Sequence, residues 1–229
     1  GPVVESVVQS MSPVLREGTL LIDMSSTKQS EAREIRQMLE PRRVAFLDAP
    51  VSGGVVGAEA GTLAIMVGGT EKDFQRARPV FEVMGRPTLV GPTGSGQIAK
   101  LCNQLIVGGT VAIVAEAMLL AQAGGADPEA MRRAIRGGFA ESRILELHGQ
   151  RMLDRNFKPG GQIKSQAKDH ANIMAAAQDA HLQLPLTALV SDLFSGLLTD
   201  HAEADQAAAL LALEKLNEGI RLGTRPDQF

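Results

Sequence analysis

The chain has 229 residues, of which 44% are hydrophobic, 21% charged and 3% aromatic, and its formal net charge is −3. These values are typical of a globular protein with one large domain or two smaller ones, and they disfavour a basic, aromatic-rich nucleic-acid-binding protein. The single cysteine, Cys102, excludes an internal disulfide and a cysteine-rich zinc site.

The first part of the chain alternates strand patterns with helical patterns. Residues 1–8 are predicted to be a polar loop or the start of a helix. Strands are predicted at 18–26, 43–50, 62–69 and 87–91, with helices at 30–39 and 71–84. This alternation indicates an α/β layer with a largely parallel sheet.

Beyond residue 91 the strand patterns stop, and the second part is predicted to be all-helical. Residues 95–123 form a long helix rich in small side chains, which Gly124 and Gly125 end. Asp127 and Pro128 are typical of the start of the next helix. Further helices are predicted at 142–153, 165–180, 186–199 and 205–221. We therefore predict two domains, residues 1–93 and 94–229.

Metal and membrane patterns are not visible in the sequence. The histidines form no H-x₃-H or HExxH pattern, so no metal site is predicted; they are His148, His170, His181 and His201. The longest apolar run, 105–115, is shorter than the ~20 residues of a spanning helix. No signal peptide pattern is visible. We predict a cytoplasmic protein without membrane or nucleic-acid partners.

The segment GPTGSGQIAKLCNQ, residues 91–104, begins the long helix and has the glycine spacing of a phosphate-binding loop. The Lys and Ser/Thr that such a loop requires are replaced by Gln97 and Ile98, which disfavours that interpretation. Lys100 lies one turn inside a helix start, where the helix dipole and partial burial favour the neutral amine. Asn103 follows on the same face. Either the pair points into a cleft, or Lys100 is an exposed residue near a frayed helix end.

Three further segments carry candidate polar groups. Ser52, Gly53 and Gly54 follow a predicted strand, and their backbone N–H groups suit an anion such as a carboxylate, unless they form a plain turn. Ser25 follows an earlier strand and would bond a ligand or cap the next helix. Lys168 and Asp169 would usually be a solvated charge pair.

These segments, in this order, resemble the β-hydroxyacid dehydrogenase family. Its D-x-P-V-S-G-G segment is seen at 48–54, its G-x-G-x-x-x-K-x-x-N helix at 94–103, and its late K-D pair at Lys168 and Asp169. The resemblance spans nearly the whole chain, and the combined motifs are far more specific than a lone glycine pattern.

Shorter matches favour one branch of this family. AIRGG (134–138), MLDRNFKPG (152–160) and LPLT (184–187) are similar to tartronate semialdehyde (2-hydroxy-3-oxopropionate) reductases, with 3-hydroxyisobutyrate dehydrogenases as the nearest alternative. Phosphogluconate dehydrogenases have His-Asn where this chain has Asn103 and Gln104, which disfavours a sugar phosphate. Imine reductases usually lack a lysine at the position of Lys100.

The resemblance implies a function and a role for each candidate residue. It implies reduction of a small oxo acid with NAD or NADP, with Lys100 as general acid and Asn103 as hydrogen-bond partner of the reacting oxygen or the substrate. It also implies two binding groups: Ser52, Gly53 and Gly54 for the substrate carboxylate, and Ser25 and Lys168 for the nicotinamide cofactor.

The family's pyrophosphate-binding G-x-G-x-x-G segment is not seen in this sequence. Residues 1–93 are therefore expected to be the C-terminal part of a Rossmann-like NAD(P)-binding domain, without its N-terminal βαβ segment. Residues 94–229 are expected to be an all-helical substrate and dimerisation domain. We expect this chain alone to turn over poorly or not at all.

A second hypothesis is a binding module without catalysis, which only drives oligomerisation. The small residues of 104–123, including Gly108 and Gly109, allow close helix packing, and the apolar run 207–213 is a second candidate contact. Both hypotheses predict a homodimer or homotetramer formed through the helical domain. Lys100 and Asn103 favour the enzyme, because packing requires neither of them.

Overall fold

A computed structural model describes residues 1–229, which form two compact units, Gly1–Asn103 and Gln104–Phe229. The first unit is an α/β layer and the second is helical, so the predicted α/β plus all-α class is confirmed. The long helix predicted at 95–123 contains the division between the units.

The first unit is built on a five-stranded sheet. Its strands are β1 (Leu20–Asp23), β2 (Ala45–Asp48), β3 (Val51–Ser52), β4 (Leu63–Gly68) and β5 (Gly85–Gly91). The two longest ladders, β1 with β2 and β4 with β5, are parallel, as predicted. However, β2 and β3 pair with β4 in the antiparallel sense. The ten residues between β3 and β4 are too few for a parallel crossover, so the chain returns in the opposite direction.

Helices cover both faces of this sheet. They are α1 (Pro2–Met11), α2 (Gln29–Leu39), α3 (Gly54–Glu59) and α4 (Glu71–Met84). Adjacent residues of β2 point to opposite faces: Phe46 packs in the cluster of α1 and α2, and Leu47 packs in the cluster of α4. The α1 helix extends past the loop or helix start predicted at 1–8, and α3 begins where the sequence predicts either an anion-binding turn or a plain turn.

The second unit is helical throughout its core. Its helices are α5 (Ser95–Ala123, which begins in the first unit), α6 (Pro128–Ala134), α7 (Arg143–Leu153), α8 (Ile163–Asp179), α9 (Pro185–Gly196), α10 (Leu198–His201) and α11 (Ala209–Leu216). The helix predicted at 205–221 is shorter at both ends. Asp205 caps a short 3₁₀ turn before α11, and no helix continues past Leu216.

Helix α5 is the central element of this unit. Val111, Ala115 and Met118 are fully buried at helical spacing in the main core cluster. The helix has 29 residues and a mean hydropathy of 1.9 in its most apolar window, so its length and composition would also suit a membrane span. The apolar run considered in the sequence was too short to indicate this, because Glu116 interrupts it. Buried core helices of globular proteins share these properties.

Two segments considered as partner contacts have partners within their own unit. Most of 207–213 is buried in the core cluster, so its prediction as an intermolecular contact is wrong. A Cβ atom at Gly108 would lie 2.3 Å from His170 Nε2, so this glycine permits the close approach of α8. Gly109, by contrast, has open space around it.

A buried arginine connects the C-terminal segment to the helical unit through ion pairs. Arg155 is 1% exposed, and its guanidinium donates to Glu214 Oε2 at 3.0 Å and to Asp227 Oδ1 at 2.6 Å. It also stacks over the ring of Phe157 at 5.4 Å. Burial alone would raise the pKa of Asp227, but hydrogen bonding and charge from Arg155, with Arg221, hold that pKa below its usual value.

Candidate active site

The start of α5 is held by a buried carboxylate from the sheet. Asp48 ends β2 and is fully buried. Its Oδ1 accepts from the backbone N–H of Gly94 at 2.7 Å, and its Oδ2 accepts from the backbone N–H of Gln97 at 3.0 Å. These bonds satisfy donors that a helix start would otherwise leave unpaired, and a negative charge suits the positive end of the helix dipole.

Burial and hydrogen bonding act on Asp48 in opposite directions. Burial raises the pKa of this carboxyl, and the backbone N–H groups that bond it, chiefly those of Gly94 and Gln97, lower the pKa in part. The net effect is a raised pKa. The backbone N–H groups of the helix start therefore offset part of the effect of burial on this carboxyl.

Gln97 connects the same turn to the loop after β1. This side chain is fully buried, its Oε1 accepts from the backbone N–H of Thr27 at 2.9 Å, and its Nε2 donates to the carbonyl of Ser25 at 2.8 Å. The residue that disfavours a phosphate loop therefore bonds the loop that carries Ser25. Ser25 itself is exposed, and its backbone N–H donates to Asp23 Oδ1 at 2.9 Å.

Lys100 and Asn103 lie in the first turns of α5, after this anchored start. Both are partly buried, so the alternative of an exposed lysine near a frayed end does not describe Lys100. Their i,i+3 spacing places them on the same side of the helix. Leu101, between them, is buried, and Cys102 is exposed. The Lys100 amine and the Asn103 amide therefore lie on one segment of helix whose start is fixed by hydrogen bonds to Asp48.

Ser52, Gly53 and Gly54 join β3 to α3. Ser52 pairs with Ala64 of β4, and α3 begins immediately after Gly53. Gly54 has a φ of 63° and open space around its Cα, so its left-handed backbone is what requires glycine there. The segment starts four residues after Asp48, so one stretch of chain supplies both the cap of α5 and the candidate carboxylate site.

Lys168 lies in the second unit, on α8. Its side chain is 53% exposed, and its Nζ is 3.1 Å from Asp169 Oδ1. Asp169 is buried and its Oδ2 accepts from Gln104 Nε2 at 2.7 Å, so the solvated charge pair considered as an alternative is wrong for this aspartate. Gln166 reinforces the contact by donating to the carbonyl of Gln104 at 3.0 Å.

Two buried oxygens remain available at the carboxyl end of β1. Asp23 Oδ2 and Thr27 Oγ1 have no hydrogen-bond partner, and they flank exposed Ser25. Unpaired polar atoms beside a strand end suit a polar ligand such as the amide of a nicotinamide. The residues present therefore fit the cofactor position that the resemblance implies.

The chain matches two described families over almost all of its length. Residues 94–213 match "NAD-binding of NADP-dependent 3-hydroxyisobutyrate dehydrogenase", and residues 1–94 match "NAD binding domain of 6-phosphogluconate dehydrogenase". The "2-hydroxy-3-oxopropionate reductase" of Escherichia coli (strain K12) is 44% identical over 87% of this chain and 71% of its own length. The chain belongs to the 3-hydroxyisobutyrate dehydrogenase family. The predictions of this family and of an NAD or NADP cofactor are confirmed.

Two other members of the 3-hydroxyisobutyrate dehydrogenase family are similar to this chain over most of its length. A Mycobacterium tuberculosis 3-hydroxyisobutyrate dehydrogenase, solved with L-serine, has a TM-score of 0.82 at 32% identity, covering 91% of this chain and 76% of that one. The "Probable 3-hydroxyisobutyrate dehydrogenase-like 1, mitochondrial" of Arabidopsis thaliana is 38% identical over 89% of this chain, which spans 61% of that relative's length.

Two residues of the site were not assigned from the sequence. In the sequence, Asp48 is visible only as part of the D-x-P-V-S-G-G motif, and Gln97 only as a mismatch to a phosphate loop. The one available signal was an aspartate ending a buried strand, in a motif shared with the dehydrogenase family. Their partners lie between 46 and 72 residues away, which local patterns do not reveal.

Proposed function

We propose that this enzyme reduces tartronate semialdehyde to glycerate with NAD(P)H, using Lys100 as the general acid. The observation that carries the proposal is a partly buried lysine and amide, Lys100 and Asn103, in the turns that follow the Asp48 cap. The name and 44% identity of the E. coli relative support this substrate.

In the proposed reaction the aldehyde carbon gains a hydride and its oxygen gains a proton. The bound reduced nicotinamide supplies the hydride. Lys100 donates the proton to the carbonyl oxygen as the C=O π bond breaks, and accepts it in the reverse direction. Asn103 donates a hydrogen bond to the same oxygen, where negative charge develops, and so stabilises it. Ser25 and Lys168 would contact the nicotinamide cofactor.

Ser52, Gly53 and Gly54 would bind the substrate carboxylate. The Ser52 hydroxyl and the backbone N–H groups of the glycines are donors that suit two anionic oxygens. We expect Ser52→Ala to raise KM for the oxo acid by about 10- to 150-fold, since a hydrogen bond to a charged group contributes about 1.5–3 kcal/mol. Steady-state kinetics measure this.

An uncharged aldehyde, glyceraldehyde, is the control for Ser52. Its KM should be nearly the same in the wild type and in Ser52→Ala, because it has no carboxylate to lose contact with. Ser30→Ala, at an exposed serine of α2, is the matched control variant. An equal rise in KM for both aldehydes would contradict the assignment of Ser52 to the carboxylate.

The alternative substrate within the family is 3-hydroxyisobutyrate. The experiment that separates the two compares kcat/KM for tartronate semialdehyde and for 2-methyl-3-oxopropanoate, the oxidised form of 3-hydroxyisobutyrate, with NADH and with NADPH. The proposal expects the hydroxylated acid to be preferred. A preference for the methylated acid would assign the enzyme to the second activity.

The predicted oligomer, which both hypotheses share, is supported by one exposed surface. Ile106, Ile113 and Leu120 recur every seven residues along α5 and are 62–75% exposed. Such a stripe suits packing against another helix, in agreement with a homodimer or homotetramer. Light scattering measures this assembly, which is compatible with catalysis. The cytoplasmic location stays a prediction.

The expectation that this chain alone turns over poorly also stays a prediction. It is tested by NAD(P)H oxidation with residues 1–229, where robust turnover would contradict it. Kinetic experiments therefore use the active form, which is residues 1–229 alone if they turn over. If they do not, it is the same residues completed with the part of the E. coli relative that this chain does not cover.

A further inference from the structure

Two segments of the first unit meet the first turn of α5. The end of β2 contributes Asp48, which bonds the backbone N–H groups of Gly94 and Gln97. The loop after β1 contributes the Ser25 carbonyl and the Thr27 N–H, which bond the two ends of the Gln97 amide. One residue, Gln97, therefore takes part in both sets of bonds, through its backbone and through its side chain.

This arrangement leaves the helix start little freedom. Asp48 and Gln97 are both fully buried, and each carboxylate oxygen and each end of the amide has a partner at 2.7–3.0 Å. The first turn also lies directly against the sheet, because a Cβ at Gly96 would be 2.5 Å from the carbonyl oxygens of Asp48 and Met66. The turn cannot move toward the strands, and the hydrogen bonds oppose movement away from them.

We propose that Asp48 and Gln97 are positioning residues that hold the proton donor Lys100 and the cofactor-side loop of Ser25 in a fixed relation. This inference rests on the proposed function. Lys100 is three residues after Gln97 on the same helix, so a shift of the first turn carries its amine with it. Ser25 is bonded to Gln97 through its own carbonyl, so the same shift moves the loop.

The kinetic consequence follows from how sharply proton and hydride transfer depend on alignment. A displacement of about 1 Å can reduce the rate by on the order of 10²-fold without unfolding the protein. Gln97→Met retains the length of the side chain and removes both amide bonds, which releases the loop of Ser25. Asp48→Asn retains the shape but places an NH₂ group against one of the two backbone donors, which displaces the turn of Lys100.

The two variants should have different kinetic signatures. Gln97→Met is expected to raise KM for NAD(P)H by about 10-fold or more and also to lower kcat, because the loop and the helix are no longer coupled. Asp48→Asn is expected to lower kcat by about 10- to 100-fold with a smaller change in KM for NAD(P)H. The double variant should be less impaired than the product of the two, because both act on one turn.

Ile35→Val is the matched control, because Ile35 is buried in the first unit on α2 and bonds neither α5 nor the loop of Ser25. It should lower the melting temperature and leave kcat and KM unchanged. Thermal unfolding of each variant verifies the fold. If Gln97→Met does not fold, Gln97→Glu replaces it, because this variant retains the acceptor for Thr27 and removes only the donor to Ser25.

The inference would be overturned if the folded variants had the kinetic constants of the wild type and, like the control, only a lowered melting temperature. This applies to Asp48→Asn together with Gln97→Met or Gln97→Glu. The proposed function would not be affected by that result. Failure of wild-type residues 1–229 to reduce any small oxo acid, both alone and in the completed form, would instead overturn the proposed function. The two failures are therefore distinguishable in one set of assays.

Discussion

Replacing Lys100 with methionine is expected to lower kcat for oxo-acid reduction by about 10²–10⁴-fold, the usual contribution of a general acid. Methionine retains most of the apolar stem and removes the ammonium group, so the helix should stay in place. KM for the oxo acid should change much less than kcat, because the lost interaction is made mainly in the transition state. Steady-state assays of the active form at neutral pH measure both constants.

Lys72→Met is the matched control for Lys100. Lys72 is an exposed lysine near the start of α4 in the same unit, outside the segments that carry the candidate site residues. Its loss should leave kcat unchanged within a factor of about two. If Lys100→Met were equally active, the assignment of Lys100 as proton donor would be wrong, whatever the substrate.

Replacing Arg155 with methionine is expected to destabilise the folded chain by about 3–5 kcal/mol, because the carboxylates of Glu214 and Asp227 would lose their buried counter-charge. The C-terminal segment that carries Asp227 should become the first part of the chain to lose protection in hydrogen exchange. Denaturant unfolding measures the free energy, and exchange measures the local effect.

Arg225→Met is the control for Arg155. Arg225 is 63% exposed and pairs with Asp154, and such surface pairs contribute about 0–1 kcal/mol. An equal loss of stability in both variants would show that burial of the Arg155 cluster has no special importance.

The Arg155 cluster also predicts that the free energy of unfolding depends on pH in the acidic range. The folded-state pKa of Asp227 is held below its usual value by Arg155 and Arg221, against the effect of its burial. Its contribution to stability is therefore fully present above the unfolded pKa of about 3.9 and is lost as pH falls through the lower folded pKa. In Arg155→Met this part of the acid dependence should be smaller.

The sequence predicted those features that depend on local periodicity. Helices α4 and α5 have the predicted limits because their signals are local: apolar spacing in both, the Thr70 cap before α4, and the glycines that follow α5. Lys100 and Asn103 were found for the same reason, since a helix start and an i,i+3 spacing are both local. The shorter α11 was not predicted, because the apolar residues after Leu216 pack as irregular chain rather than as helix.

The features that were missed depend on contacts distant in sequence. The antiparallel direction of β4 depends on the short connection between β3 and β4, which no periodicity predicts. The roles of Asp48 and Gln97 depend on partners in other strands and loops. The apolar run 207–213 is compatible in sequence with a partner surface or with a buried core. Its burial depends on the helices that pack around it, so the sequence alone does not distinguish the two.

The most direct test of the proposed function compares a carboxylated aldehyde with a neutral one. NAD(P)H oxidation by the active form is followed with tartronate semialdehyde and with glyceraldehyde, in the wild type and in Lys100→Met. We predict that kcat/KM for the acid exceeds that for the neutral aldehyde by about 10-fold or more, and that Lys100→Met loses both activities. Equal kcat/KM values for the two aldehydes, or oxidation unaffected by the loss of Lys100, would contradict a carboxylate-binding site served by this proton donor.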